Sequence, residues 1–396
     1  MNETHCKTSI QLIDNDEEFT KLKDCWNVLL GNSNADTIFL TWEWVWGWWQ
    51  HFKESKKLVV LVAQEAGQII GIAPFYAEKV RFFGLRKYTH LEFLGSVGTS
   101  SAYLDFILKK GREKELLCLF IDELFSNPNI QWDVLNFTFM KKESENLRLC
   151  QEYWTLKAKK VTIYEEWPNY FINLPENIED LNKVIGRKMR ANCRNYTNKL
   201  CNQYQSYLEI ITSPENHEKD LADFIRLHQL RQQAKNEKGS FDAQRQDFVD
   251  FHKIISKIFL QNGWGQFAFL NVNKERVAGQ YNFTYKSKIY GFSCGFDPAW
   301  TSSSVGNILI YMALEHDIQS NYREFDFLRG SYGDGNEEYK SRWTKNTHIA
   351  VNAAFWRSNF VYFLVSLEKN MRTFIKKLFP KEIAMKIYSD VFLRKE

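Results

Sequence analysis

The chain has 396 residues, of which 44% are hydrophobic, so it is long enough to build two domains with ordinary cores. Charged residues make up 25% of the sequence and leave a net charge of +4, which excludes an overall field for nucleic acids or membranes. The 7 cysteines are scattered without a CxxC pair, and the 8 histidines show no HxxxH or HxH spacing, so we predict neither a disulfide framework nor a metal site.

The start of the chain, MNETHCKTSIQ, lacks the basic and then apolar pattern of a signal peptide. No apolar run in the sequence reaches the roughly 20 residues that span a bilayer. We therefore expect a soluble, cytoplasmic protein.

A diverged internal repeat sets the predicted architecture. The segments that begin at Leu58 and Gln266 share an apolar strand, a polar turn, a second strand with a central glycine (Gly71 or Gly279) and a third, aromatic-rich strand. An amphipathic helix and a further strand follow each segment, WDVLNF in the first copy and EFDFLRG in the second. This order predicts an α+β fold of mixed α/β content, with two tandem domains that each hold a mixed, mostly antiparallel sheet flanked by helices.

We place the two domains at residues 1–167 and 168–355. Residues 356–396 read as a helical tail with a break at Pro380, and we expect this tail to pack on the second domain.

A basic helix is predicted between the two copies. No acid occurs from Leu181 to Leu208, whereas lysines and arginines accumulate there. Arg187, Arg190 and Arg194 are three and four residues apart, so they share one helical face. This face is either a solvated surface or a contact for a phosphate or another anion.

A run of small residues joins the third strand of the second copy to its helix, in FDPAWTSSSVGNILIYM. Such residues leave backbone N–H groups exposed at a helix start, where the helix dipole favours a phosphate, although they also cap helices that bind nothing. The corresponding segment of the first copy, KKGREKELLCL, has a charged start, so we expect one ligand site, in the second domain, and a degenerate first domain. The residues assigned to this turn are Ser302, Ser303, Ser304, Val305, Gly306 and Asn307.

The stretch EFDFLRGSYGDGNEEYKSRW places polar groups, whose burial costs free energy, in and around a strand that is predicted to be buried. Strand alternation places Asp326 and Arg329 on opposite faces, so each needs its own partner, and a structural ion pair explains either one alone. Beyond a glycine-rich loop, a tyrosine at a helix start can donate a proton, and a lysine or arginine there can hold an anion. The residues after the loop are Tyr339, Lys340, Arg342 and Trp343.

Three further features have competing interpretations. His228 shares a predicted helix with Arg231 and is either a packing residue or part of a site. Cys294 could be a nucleophile, but it lies in a strand flanked by aromatic residues, so we assign it to the core. The tryptophans of FLTWEWVWGWWQHF could form a stacking surface or line the cleft, but we predict that they wedge one short helix against the first domain.

FDFLRG followed by YKSRW closely resembles the signature of the CelD-like branch of the GNAT acyltransferases, which are related to the FemAB-type proteins built from two GNAT-like halves. The resemblance continues, in order along nearly the whole chain, in FLTWEWVWGWWQHF, SAYLDFIL, RKMRANCRNYTNKL and RLHQLRQQAKNEKGSF. The sequence departs from the family in the loop at residues 331–338, SYGDGNEE, which is longer than usual.

The resemblance implies direct transfer of an acyl group from acyl-CoA to an amine, with no metal and no covalent enzyme intermediate. It places the pyrophosphate of the donor at residues 302–307. Tyr339 is then the candidate acid for the leaving thiolate, and Asp326 or His228 could serve the amine. Eight further residues are expected either to contact the substrates or to form the wall of the site, and these are Arg329, Lys340, Arg342, Trp343, Arg187, Arg190, Arg194 and Arg231.

The resemblance also implies an acceptor, bound in the cleft between the halves, that is an amino sugar or another amine of polysaccharide or envelope synthesis in bacteria. Peripheral contact with the envelope-synthesis machinery would fit this role. One alternative is a FemAB-type transferase that uses aminoacyl-tRNA, in which the basic helix would follow the RNA backbone; the low net charge weighs against nucleic acid. Another alternative is a non-catalytic interaction module with the same fold.

Overall fold

The computed structural model describes residues 8–82, 86–237, 239–329 and 336–378. Its strands, in chain order, are β1 (Ser9–Ile13), β2 (Lys57–Glu65), β3 (Gln68–Phe82), β4 (Arg86–Phe93), β5 (Ile107–Leu108), β6 (Val134–Lys141), β7 (Val161–Asn173), β8 (Ser206–Ile211), β9 (Gly265–Val272), β10 (Glu275–Tyr285), β11 (Lys288–Phe296), β12 (Glu324–Asp326) and β13 (Thr347–Trp356).

The α-helices, in the same order, are α1 (Asp16–Thr20), α2 (Lys23–Gly31), α3 (Trp42–Phe52), α4 (Glu113–Ser126), α5 (Glu145–Leu156), α6 (Ile178–Val184), α7 (Arg187–Gln203), α8 (His217–Ala234), α9 (Gln246–Gln261), α10 (Val305–Gln319), α11 (Asn336–Ser341) and α12 (Asn359–Leu378).

The chain divides into two compact units. The first holds the described residues up to Glu166 and those from Ala350 onward, and the second is Trp167–Ile349. The boundaries therefore fall within β7 and β13, and the first of them is next to the boundary expected at residue 167.

The tail departs from the expectation that it packs on the second domain, because α12 belongs to the first unit. Local amphipathicity predicted a helix there but could not choose its partner. The apolar side chains Val361, Tyr362 and Val365 of this helix pack against a cluster in the first unit formed by Val134, Ala354 and Trp356.

The first unit contains a sheet with strand order β1-β2-β3-β4-β6-β13, and β5 pairs with β3. Strands β2, β3 and β4 form an antiparallel meander, whereas β4 and β6 run parallel. The predicted tryptophan helix is α3, whose Trp44 donates to Ser101 Oγ at 2.9 Å and whose Trp48 donates to the Val97 carbonyl at 2.6 Å.

The second unit repeats this pattern, with strand order β7-β12-β11-β10-β9-β8. Strands β9, β10 and β11 form the antiparallel meander, and β11 and β12 run parallel. The recurrence of meander, helix and parallel strand confirms the predicted α+β class with two related halves.

The matching glycines of the repeat both lie where a neighbouring ring comes close. A Cβ atom at Gly71 would lie 3.2 Å from the Phe120 ring on α4, and one at Gly279 would lie 2.9 Å from the Phe269 ring on β9. A larger residue at either position would therefore have to push a packed ring aside. Among the helices that the structure describes, none is long and apolar enough to cross a bilayer.

Candidate active site

The site is built around a point where two parallel strands separate. β11 and β12 pair only from Lys288 to Tyr290 and from Glu324 to Asp326, and β11 continues to Phe296. Within the described ranges, no strand pairs with this side of β11 beyond Tyr290. The separation leaves an open strand edge, residues 291–296, inside the second unit.

Helix α8 lies directly on this part of β11. A Cβ atom at Gly295 would lie 2.3 Å from the backbone nitrogen and 2.5 Å from the Cα atom of His228, so only glycine permits the approach. As a result, His228 Nδ1 lies 3.3 Å from the Cys294 carbonyl oxygen, and Arg231 Nη1 lies 3.3 Å from the same oxygen.

His228 is held as a neutral ring. Its burial lowers its pKa to about 4, the Cys294 carbonyl acts in the opposite direction, and the nearby positive charge of Arg231 lowers it further. Because a carbonyl can only accept, its contact with Nδ1 favours the tautomer that has the proton on Nδ1 and the lone pair on Nε2. Within the described part of the chain, the buried Nε2 atom has no hydrogen-bond partner.

Arg231 and Cys294 meet at the open edge. The Arg231 guanidinium donates to Cys294 Sγ at 3.3 Å, and its central carbon lies 5.7 Å from the centre of the Phe296 ring. Cys294 is half-buried and forms part of the site's wall, whereas the sequence had assigned it to the core.

Tyr339, on α11, reaches the same place. Burial and the neighbouring Cys294 raise the pKa of its hydroxyl well above the ordinary value, while Trp343 and the positive charge of Arg231 act to lower it. The hydroxyl therefore keeps its proton at physiological pH and feels the positive charge of Arg231. This arrangement suits a proton donor.

Lys340 and Trp343 hold α11 in position. Lys340 Nζ donates to the carbonyl oxygens of Phe327 at 2.6 Å and Leu328 at 2.8 Å, which ties the helix to the end of β12. Trp343 is fully buried in the core of the second unit. Both residues act as scaffold, and Arg342 is exposed.

Asp326 and Arg329 differ from the expected strand alternation. β12 ends at Asp326, and Leu328 takes a left-handed backbone with φ of 53°, so the alternating pattern stops before Arg329. Asp326 Oδ1 accepts from the Leu328 N–H at 2.7 Å and so closes the turn, while the Arg329 guanidinium lies 4.3 Å from the centre of the Trp167 ring. The loop that departs from the family lies mostly outside the described residues.

The small-residue turn forms the start of α10. A 3-10 helix covers Pro298–Ser303, Ser304 has a left-handed backbone with φ of 56°, and α10 begins at Val305. In the described structure, its N-cap residue Ser304 makes no side-chain capping hydrogen bond, and its first turn carries no acid. Asn307 Oδ1 is buried without a partner in the described part of the structure. The turn therefore offers backbone N–H groups and the positive end of a helix to an anion.

The predicted basic helix is α7. Its Cys193 and Leu200 are buried, Arg187 and Arg194 are exposed, and Arg190 is half-buried. Arg194 hydrogen-bonds the hydroxyl of Tyr311 on α10, so it has a structural contact in addition to its exposed surface.

Sequence reasoning missed how closely α8 lies on β11. The signal was present in GFSCGF, where Gly291 and Gly295 are four residues apart on one strand, but a glycine pattern cannot name the helix that uses the space. In the described ranges, no group of histidine, cysteine, aspartate and glutamate residues could hold a metal ion.

Residues 187–341 match the acetyltransferase (GNAT) domain family, a match that runs from the start of α7 to the end of α11. The match covers less than half of the chain, so it shows what this segment is similar to. No curated protein matches the chain.

Three solved structures share its fold. FemX is 10% identical with a TM-score of 0.63, over 87% of this chain and 98% of that chain. A conserved protein of unknown function from Bacteroides thetaiotaomicron VPI-5482 is 14% identical with a TM-score of 0.53, over 88% and 100%. The C-terminal domain of a putative lysylphosphatidylglycerol synthetase from Agrobacterium fabrum is 8% identical with a TM-score of 0.51, over 90% and 97%. Such identities show a common fold and nothing beyond it, so the chain shares its fold with FemX.

Proposed function

We propose that the second unit transfers an acyl group from acyl-CoA to a primary amine, and that the acceptor is an amino sugar or a related amine of polysaccharide or cell-envelope synthesis. The observation that carries the proposal is the open edge of β11, residues 291–296, in the same unit as the uncapped start of α10, with the Tyr339 hydroxyl under the electrostatic influence of Cys294 and Arg231. The acceptor class rests on the family resemblance alone.

The donor fits this geometry in two ways. An open strand edge can pair with the amides of the pantetheine arm as it would with an added strand. The first turn of α10 can receive the pyrophosphate on its N–H groups, since it has no side-chain cap and no acid to repel the charge.

The reaction forms a C–N bond and breaks a C–S bond. The nitrogen of the amine attacks the thioester carbonyl, a proton leaves the amine, and the departing thiolate takes up a proton. Tyr339 is the candidate donor of that second proton, and Arg231 would stabilise the resulting phenolate. The neutral His228 ring could accept the proton that leaves the amine. Asp326 is less suited to this role, because its side chain already accepts the hydrogen bond that closes its turn.

A second donor remains a candidate because of α7. Its exposed Arg187, Lys188 and Arg194 lie in a segment without acids, which would suit the phosphates of an aminoacyl-tRNA. Binding of RNA by this surface would weaken steeply with salt.

Calorimetric titration of the full chain with CoA, acetyl-CoA and longer acyl-CoAs tests the donor. We expect heat and thermal stabilisation, followed by release of free thiol when glucosamine and other amines are supplied. The proposal would be wrong if millimolar CoA gave no heat and no thermal stabilisation while aminoacyl-tRNA bound in a salt-sensitive way. In that case aminoacyl-tRNA would be the donor.

A further inference from the structure

An exposed apolar stripe runs along α12, in the first unit. Phe360 is 63% exposed, Phe363 59%, Leu367 42% and Met371 40%. These residues are three, four and four positions apart, which places them on one face of the helix.

The stripe is not the face that anchors the helix. Val361, Tyr362 and Val365 pack on the cluster of Val134, Ala354 and Trp356. The four side chains of the stripe therefore face outward while the helix is held by its other side. Isolated exposed apolar residues are common, but a row of four long ones on one helix face indicates a partner.

The charge of α12 indicates which partner. Its sequence contains four cationic residues, Lys369, Arg372, Lys376 and Lys377, and one acid, Glu368, which is buried. A helix with phenylalanine and leucine on one face and lysine and arginine elsewhere is typical of helices that lie in the headgroup region of a membrane. A second copy of the chain is a poorer fit, because helix-to-helix pairing would bring two cationic helices together.

We propose that α12 docks on the surface of an anionic lipid bilayer, with Phe360, Phe363, Leu367 and Met371 inserted among the lipids and with the net positive charge of its sequence favouring anionic headgroups. This inference rests on α12 alone and is independent of the proposed reaction. It adds a membrane-surface contact to a chain in which the structure describes no helix able to cross a bilayer.

Co-sedimentation of the full chain with vesicles tests the proposal. We expect binding to vesicles of phosphatidylglycerol and phosphatidylethanolamine in equal parts, weakened by high salt, and little binding to phosphatidylcholine alone. The double variant Phe360→Ser/Phe363→Ser should bind at least about tenfold more weakly. The double variant Leu156→Ser/Ile254→Ser is the matched control, since these residues are 85% and 53% exposed on α5 and α9, and it should bind like the wild type.

Charge reversal provides a second measurement that leaves the apolar stripe intact. The double variant Lys376→Glu/Lys377→Glu should also lose binding to the anionic vesicles. If the serine variant has a lowered melting temperature, the result for this charge-reversal variant decides whether α12 binds the vesicles. Absence of wild-type binding, or equal loss in the control, overturns the proposal. Two other results would also overturn the proposal. A dimer that depends on the stripe, without vesicle binding, would mean that a second copy of the chain covers this face. Vesicle binding that appears only when the chain ends at Leu378 would mean that residues 379–396 cover it.

Discussion

The hydroxyl of Tyr339 lies among groups that act on its pKa in opposite directions. Burial and Cys294 favour the neutral phenol, while Arg231 favours the phenolate. A phenol with these neighbours holds its proton until a strong base such as a thiolate forms nearby, and the adjacent guanidinium then stabilises the charge.

Tyr339→Phe should lower turnover by roughly 10²-fold, the usual scale for a lost general acid, because it removes only the hydroxyl. We expect the free energy of unfolding to change little. Thiol release under saturating donor measures the first quantity, and urea unfolding measures the second. Tyr207→Phe, at an exposed position on β8, is the control. Unchanged turnover of Tyr339→Phe at every pH would exclude Tyr339 as the proton donor.

His228 should make stability depend on pH in a defined window. Its pKa is about 4 in the folded chain because of burial, against roughly 6.5 when unfolded. Between these two pH values the unfolded chain binds more protons than the folded chain. The contribution of His228 to the free energy of unfolding is therefore present above pH 6.5 and is lost as the pH falls towards 4. The total loss is about 3 kcal/mol.

Asp105, in the first unit, changes the free energy of unfolding in the opposite direction over much of the same pH range. Burial raises its pKa to about 6, so its folded form holds a proton that the unfolded chain releases, and its contribution falls as pH rises. The informative quantity is therefore the difference between the wild type and His228→Asn. Urea unfolding at pH 8, 6 and 5 should show a smaller loss on acidification in the variant; parallel curves would contradict the buried neutral ring.

Trp343 tests the scaffold of the site. Because the ring is fully buried in the core of the second unit, Trp343→Ala should cost on the order of 3 kcal/mol of unfolding free energy, and Trp343→Phe should cost less. Urea unfolding measures both. A loss of activity in Trp343→Ala without a loss of stability would instead make the ring a substrate contact, as the family resemblance had allowed.

At the scale of elements, the contact of α8 with β11 decides the geometry of the site. Gly295→Ala would place a methyl group 2.3 Å from the backbone of His228, so the helix must move away from the strand. We expect loss of thiol release and a lower melting temperature. Gly186→Ala, where no atom lies within 4 Å of the new Cβ, is the matched control and should leave both unchanged. A fully active Gly295→Ala protein would show that the contact is not needed.

The elements themselves were largely predictable, because apolar strands separated by polar turns recur in both copies and form the meanders that the structure shows. The prediction was wrong where long-range contacts override local pattern. The alternation assumed at Asp326 and Arg329 ends because Leu328 takes a left-handed backbone, which Lys340 from α11 helps to hold. The site could be predicted only as separate segments, since the proximity of Tyr339, Cys294 and Arg231 depends on how α8 and α11 approach β11.

At the scale of the whole molecule, the chain passes from the first unit into the second within β7 and returns within β13. Both units have a meander and a parallel strand pair, but the uncapped small-residue turn belongs to the second. The helix that follows the meander of the first unit, α4, begins after Arg112 with two acids in its first turn, which repel a phosphate. Donor binding should therefore be confined to one unit.

Hydrogen exchange with and without CoA tests this asymmetry. At roughly 100 times its dissociation constant, CoA should stabilise the folded chain by about 2.7 kcal/mol. The added protection should appear in the amides of β11 and the first turn of α10, which would pair with the donor, whereas β2, β3 and β4 of the first unit should exchange as before. Inorganic pyrophosphate is the control and should protect the start of α10 without protecting β11. Protection centred on the first unit would contradict the assignment of the donor to the second.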